Sequence, residues 1–233
     1  KINNRKIFQG ILEFFDIKDT KQSLTILRSI DKFQSVGKNG VLELLTKGRL
    51  DKSGDFTKGA NLKKEIAEEI FELLSADSIV RDKKTGVCRL SAGNALFKIE
   101  NDIFLEGVKE VDTILNYLGE NKEVNIMSTD LSFKQDMINF QMDLSVVRGL
   151  EYYTGTVMEA ETADTSFWKS SRDANAFKKI KLGSLSGGGR YDKLVSRFLN
   201  DDYPSVGISI GLDRTLMLLK DKYKDQALKN PII

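Results

Sequence analysis

The chain has 233 residues, with 36 basic and 34 acidic side chains, one cysteine and no histidine. That length buries a full core and suits one large domain or two small ones, while the near-balanced charge argues against a surface basic all over and leaves room for a local basic face. The lone Cys88 excludes a disulfide framework or a cysteine-rich zinc cluster, and with no histidine every Ser-His-Asp, Cys-His or HExxH mechanism falls away, leaving carboxylates, arginine, lysine, tyrosine, backbone dipoles or the substrate itself.

Residues 1–17, "KINNRKIFQGILEFFDI", read as a strand end followed by an apolar helix, with Ile7, Ile11, Leu12 and Phe15 near helical spacing. This start has neither a hydrophobic signal core nor a cleavage site, and the apolar runs fall far short of the roughly 20 residues that cross a bilayer. A cytoplasmic protein, or one in an organelle matrix after processing, is expected. The chain also begins without methionine in what reads as mid-strand, so a piece of a longer protein is expected.

From Lys18 to about Glu123 the pattern is helical and charged. "DTKQSLTILRSIDKF", "NLKKEIAEEIFELLS" and "DIFLEGVKEVDTILNYLGE" repeat apolar residues at i, i+3, i+4 and i+7. Asp19 and Asn61 are expected caps, Gly119 a stop, and "KGRLDKSGDFTKG" a mobile loop. Residues 18–58 hold nine basic against five acidic side chains, a local excess of four. A solvated helix face and a phosphate-binding face both account for it, since phosphate binding needs clustering in space.

From about Val124 the texture turns to strands, glycines and short helices. "INFQMDLSVV" and "YYTGTVMEAE" suit strands joined by "RGLE"; "LSGGGRYDKLVSRFL" reads as strand, glycine turn and helix; "SVGISIGLDRTLMLLKDKY" reads as strand then helix. Strands recur as neighbours without a helix between each pair, which favours an α+β plan, a largely antiparallel sheet with helices on one side.

Three places invite a ligand. Gly187, Gly188 and Gly189 remove three consecutive side chains, for a tight turn or for a ligand lying on bare backbone; neither GxGxxG nor GxxxxGK[ST] spacing is present. Arg214 at a helix start is costly beside the positive helix end, and either an anion or a pairing with Asp213 or Asp192 rationalises it. Arg148, at the mouth of an apolar run, needs a carboxylate or phosphate, or else Glu151 or Glu159. Tyr152 and Tyr153 point to opposite faces if the segment is extended, so one of them at most faces a given pocket.

In this order and spacing, "RGLEYYTG", "GGGRYD" and "VGISIGLDR" resemble the two histidine-specific motifs and the third class II motif of histidyl-tRNA synthetases, and "KINNRK" resembles the strand after motif 2. Asp213 stands where glutamate is commoner and Lys193 where glycine is common. Motif 1, which builds the dimer interface, motif 2, whose arginine grips ATP, and the C-terminal anticodon-binding domain have no counterpart here. The resemblance implies a class II antiparallel sheet flanked by helices, in two core segments, 1–17 and 124–233, around a helical insertion domain, 18–123, that leans on the tRNA acceptor arm. It implies a histidine-tRNA ligase with histidine, ATP and tRNA(His) as substrates, Mg2+ as the family's ion with unassigned ligands, and a homodimer in the complete protein.

The resemblance also implies roles. Arg148 would contact the α-phosphate and the histidine carboxylate, doing electrostatically what a metal does elsewhere. Tyr152 and Tyr153 would hydrogen-bond the imidazole, with Tyr191 lining that pocket and Gly188 and Gly189 admitting the substrate to backbone. Gly211 and Arg214 would hold ATP. Non-catalytic relatives, such as the regulatory subunit of short-form ATP phosphoribosyltransferase, tend to erode the first histidine-motif arginine or the motif 3 arginine. Arg148 and Arg214 are both present. A plain RNA-binding module explains the basic zone but not this pair of arginines.

Overall fold

The computed structural model describes residues 1–51, 53–74, 78–81, 88–92, 95–118, 131–132, 139–140, 142–147, 152–161, 183–194, 198–199, 201 and 203–222. Along the chain run β1 (Ile2–Asn4), α1 (Arg5–Phe14), α2 (Thr20–Asp31), α3 (Phe33–Leu45), β2 (Gly48–Leu50), β3 (Phe56–Lys58), α4 (Lys64–Leu74), β4 (Ser78–Arg81), β5 (Cys88–Ala92), β6 (Ala95–Ile99), α5 (Asp102–Leu118), β7 (Leu131–Ser132), β8 (Asn139–Phe140), β9 (Thr156–Glu161), β10 (Ser184–Arg190), β11 (Val206–Ile210) and α6 (Leu212–Lys222).

The sheet that carries the site has the order β1-β9-β10-β11 and is antiparallel throughout. Its first strand passes directly into α1, because the Asn4 side chain accepts a 3.0 Å hydrogen bond from the Lys6 amide and so caps the helix. Ile7, Phe8, Ile11 and Leu12 then form a buried stripe, and α5 lays Phe104, Val108, Val111 and Leu115 against α1. Each such side chain contributes about 1.5–3 kcal/mol by leaving water. One apolar cluster continues from this pair through α2, α3 and α4 to Ile79, Leu90 and Ile99 on β4, β5 and β6. An α+β architecture with an antiparallel sheet and packed helices is thus the observed fold.

Several local expectations are met. Asp19 caps α2, its carboxylate accepting from the Gln22 amide at 2.7 Å. The three quoted amphipathic segments form α2, α4 and α5. Others are corrected. Asn61 is not a cap: it sits at φ 58° and α4 starts only at Lys64. The charged glycine-rich stretch is not simply a loop, since Gly48–Leu50 pairs with Phe56–Lys58 in a hairpin. A second antiparallel sheet, β4-β5-β6, lies inside the zone read as helical. Gly119 lies outside the described residues.

The end of "INFQMDLSVV" is likewise not a strand. Residues 143–147 turn, and the buried Asn3 side chain donates to the Leu144 carbonyl at 3.1 Å and the Val146 carbonyl at 3.0 Å. A short polar side chain offers those carbonyls what a ladder would otherwise supply. Val146 and Val147 are buried by this turn, so the approach to residue 148 is anchored in the core.

Candidate functional site

The glycine triplet is not a turn. Gly187, Gly188 and Gly189 lie inside β10, paired on one side with Glu159, Met158 and Val157 and on the other with Ser209, Ile208 and Gly207. Their role is close approach: a Cβ on Gly189 would stand 2.6 Å from the Thr156 carbonyl oxygen and 3.0 Å from the Tyr153 ring. Removing that atom lets the aromatic ring lie down on the sheet.

Tyr152 lies in a turn and Tyr153 in irregular backbone before β9, so the strand alternation rule does not separate them. Both line one cleft, with ring centroids 4.3 Å apart, and the Tyr191 ring, just past β10, stands 6.3 Å from each. Burial, then a hydrogen bond with Tyr152, pushes the Tyr153 phenol up to about 12. It is neutral at working pH, a group that both donates and accepts hydrogen bonds.

The cleft has a volume of about 930 Å³. Its floor is β10 from Ser184 to Gly188 together with Ser209 of β11, and its far end is Gly211, Leu212, Asp213 and Arg214 at the start of α6. Arg214 is held by donating from Nη1 to the Ser184 carbonyl at 2.7 Å, while the Gly211 amide donates to the Leu185 carbonyl at 2.7 Å. The guanidinium is therefore tethered to the sheet rather than to Asp213 or Asp192. Asp192 instead accepts from Arg190 Nε at 2.9 Å.

Of the residues singled out from sequence, the structure brings Tyr152, Tyr153, Gly188, Gly211 and Arg214 to the same cleft. Gly189 lies beneath the Tyr153 ring, and Tyr191 completes the aromatic cluster. Arg148 lies outside the described residues, as do its candidate partner Glu151 and position 149–150 between them. Arg28 and Asp31 of α2 also line the cleft. Arg28 was visible only as one charge in the basic excess of 18–58, and nothing in its spacing marks it as facing β10. Among the described residues no group of three or more acidic, histidine or cysteine side chains is placed to hold a metal ion.

The arrangement offers an aromatic, hydrogen-bonding end and a cationic end along a bare backbone floor. That combination suits a ligand with a polar ring at one end and an anionic group at the other. A family model described as histidyl-tRNA synthetase matches residues 4–215. The chain is 38% identical over 234 aligned positions to a histidine-tRNA ligase of Ruegeria pomeroyi, covering 100% of this chain and 42% of that protein. It is 37% identical to the corresponding ligase of Caulobacter vibrioides, covering 100% of this chain and 43% of that protein. A crystal structure of histidyl-tRNA synthetase from Nostoc sp. PCC 7120 matches with TM-score 0.60 at 24% identity, over 95% of this chain and 42% of that one, which speaks to the fold. The chain thus spans about two-fifths of the length of these relatives.

Proposed function

The chain belongs to the histidyl-tRNA synthetase family, and we propose that it supplies the histidine-recognition and adenylate-forming part of a complete histidine-tRNA ligase. The observation that carries this reading is the single cleft shared by Tyr152, Tyr153, Gly188, Gly211 and Arg214. In the complete protein the histidine carboxylate attacks the α-phosphorus of ATP and expels pyrophosphate. The terminal ribose hydroxyl of tRNA(His) then attacks the carbonyl of the adenylate and releases AMP.

In this reading the imidazole lies at the tyrosine end. The hydroxyls of Tyr152 and Tyr153 each donate or accept, so between them they satisfy both ring nitrogens and leave polar groups unpaired when the ring is absent. Gly188 and Gly189 keep the floor open, and Tyr191 backs the ring of Tyr153. Gly211 and Arg214 take the phosphate end, with the guanidinium fixed in advance by its bond to the Ser184 carbonyl. Arg148 neutralises the charge that grows on the α-phosphate, in the role its motif implies.

We assign residues 1–17 and 124–233 to the catalytic core and 18–123 to an insertion that leans on tRNA. Since α5 packs on α1, β1 and β9, the end of that insertion is knitted to the core. The basic excess of 18–58 meets the acceptor arm in this scheme, and the complete protein works as a homodimer in the cytoplasm. Among the described residues no helix is long and apolar enough to cross a membrane. Nothing in the described cleft favours the regulatory-subunit reading.

The test is histidine-dependent ATP/pyrophosphate exchange by the complete protein. Arg148→Ala should lower the exchange rate at least ~10²-fold, as for loss of one preorganised donor worth about 2.7–4 kcal/mol, while histidine binding weakens far less. Equal losses in binding and turnover would mean that Arg148 anchors the ground state instead.

A further inference from the structure

We propose that Thr154 and Asp192 form a staple that positions the tyrosine cluster, clamping the residue after Tyr153 to the residue after Tyr191. The functional half of this proposal rests on the reading of the tyrosines as the histidine pocket. The staple itself rests on geometry. Thr154 Oγ1 donates to Asp192 Oδ2 at 2.7 Å, and the Asp192 amide donates back to Thr154 Oγ1 at 3.1 Å. The Thr154 amide donates to the Arg190 carbonyl at 2.9 Å. Three hydrogen bonds, in both directions, thus join two segments 38 residues apart.

The chemistry leaves this arrangement one orientation. Burial works against the charge on Asp192, but hydrogen bonds from Arg190 and Thr154 outweigh it and hold the carboxyl below its ordinary range. An ionised carboxylate only accepts, so the single hydroxyl proton of Thr154 must point at Oδ2 and a lone pair is left for the Asp192 amide. The branched Cβ of threonine adds stiffness at χ1.

The staple is also anchored behind. Arg190 Nε donates to Asp192 Oδ1 at 2.9 Å, and Arg190 Nη1 stands 4.0 Å from Glu110 Oε1 on α5. Glu110 in turn accepts from Lys6 Nζ at 2.7 Å and from Asn4 Nδ2 at 2.6 Å. Neither Thr154 nor Asp192 lines the cleft, so both act through the rings. Tyr152, in a turn, and Tyr153, in irregular backbone, stand outside the strand ladder. The staple does what the ladder does elsewhere.

The experiment uses the complete protein with 3-fluorotyrosine placed at position 153, and compares Thr154→Val, which keeps shape and loses the hydroxyl, with Thr154→Ser, which keeps the hydroxyl. Fluorine NMR follows the titration of that phenol, and pyrophosphate exchange gives KM for histidine and for ATP. With the staple cut, water reaches the ring, so the titration of the labelled phenol falls by about one pH unit in Thr154→Val and stays within a few tenths in Thr154→Ser. KM for histidine rises by about 10-fold in the valine variant, with KM for ATP changed less than about 2-fold.

A titration unmoved by valine, or moved equally by serine, overturns the staple whatever the kinetics. A titration that responds to valine alone while KM for histidine stays put upholds the staple and overturns the assignment of the tyrosines to histidine. Should the valine variant not fold, Asp192→Ala, which keeps the backbone amide but removes the carboxylate that accepts from Thr154, decides by the same readouts.

Discussion

Tyr153 is a half-buried phenol leaning on a tyrosine neighbour, and its titration gives a pH signature. Its folded pKa of about 12 lies above the ordinary 10, through burial first and the hydrogen bond with Tyr152 second. Below about pH 10 both folded and unfolded chains carry a neutral phenol, so this group adds no slope. Between about pH 10 and 12 the unfolded chain loses the proton first, and stability falls. Thermal melts across that window should show a steeper decline in the parent than in Tyr153→Phe; identical slopes would show that the phenol is not protected. At this scale much was legible: Tyr152, Tyr153, Gly188, Gly211 and Arg214 were marked from sequence and share a cleft. Thr154 was not marked and Asp192 was read only as a candidate partner of Arg214, because a threonine and an aspartate become informative only once folding sets them against each other. The reading that Tyr152 and Tyr153 face apart failed because it assumed a regular strand where the backbone before β9 is irregular.

At the scale of elements, β10 shows why the glycine triplet misled. Glycines are common in turns, and a sequence does not display the neighbouring backbone and ring that make them necessary in a strand. Gly189→Ala should destabilise the fold by about 1–3 kcal/mol, since its Cβ would crowd both the Thr156 carbonyl and the Tyr153 ring. Denaturant unfolding of the variant checks this, and an unchanged midpoint would mean that the ring gives way freely. The long amphipathic helices α2, α4 and α5 were readable because a 3.6-residue period is repeated over several turns. The strands β4, β5 and β6 were not, because runs of four or five residues carry too few repeats to tell a strand from a helix. Arg28 belongs to the same lesson: its helix was legible, while the cleft that the helix walls was not.

At the scale of the molecule, β11 ends the sheet among the described residues and carries an exposed apolar ridge. Alternation turns Ser209 toward the cleft and puts Val206, Ile208 and Ile210 on the other face, where they are 75%, 67% and 67% exposed. A bare edge strand with such a face is a template for pairing with other chains. The 233 residues on their own should therefore self-associate at tens of micromolar, and Ile208→Lys should shift them toward monomer in light scattering; unchanged association would place the contact elsewhere. The antiparallel sheet and the α+β plan were legible from strands that follow one another without intervening helices. The most direct test of the central assignment is a crystal structure of the complete protein with a non-hydrolysable histidyl-adenylate analogue. The predicted result places the imidazole within hydrogen-bonding distance of the Tyr152 and Tyr153 hydroxyls and the adenylate over Gly188 toward Gly211 and Arg214, whereas an analogue bound away from these tyrosines would contradict the account.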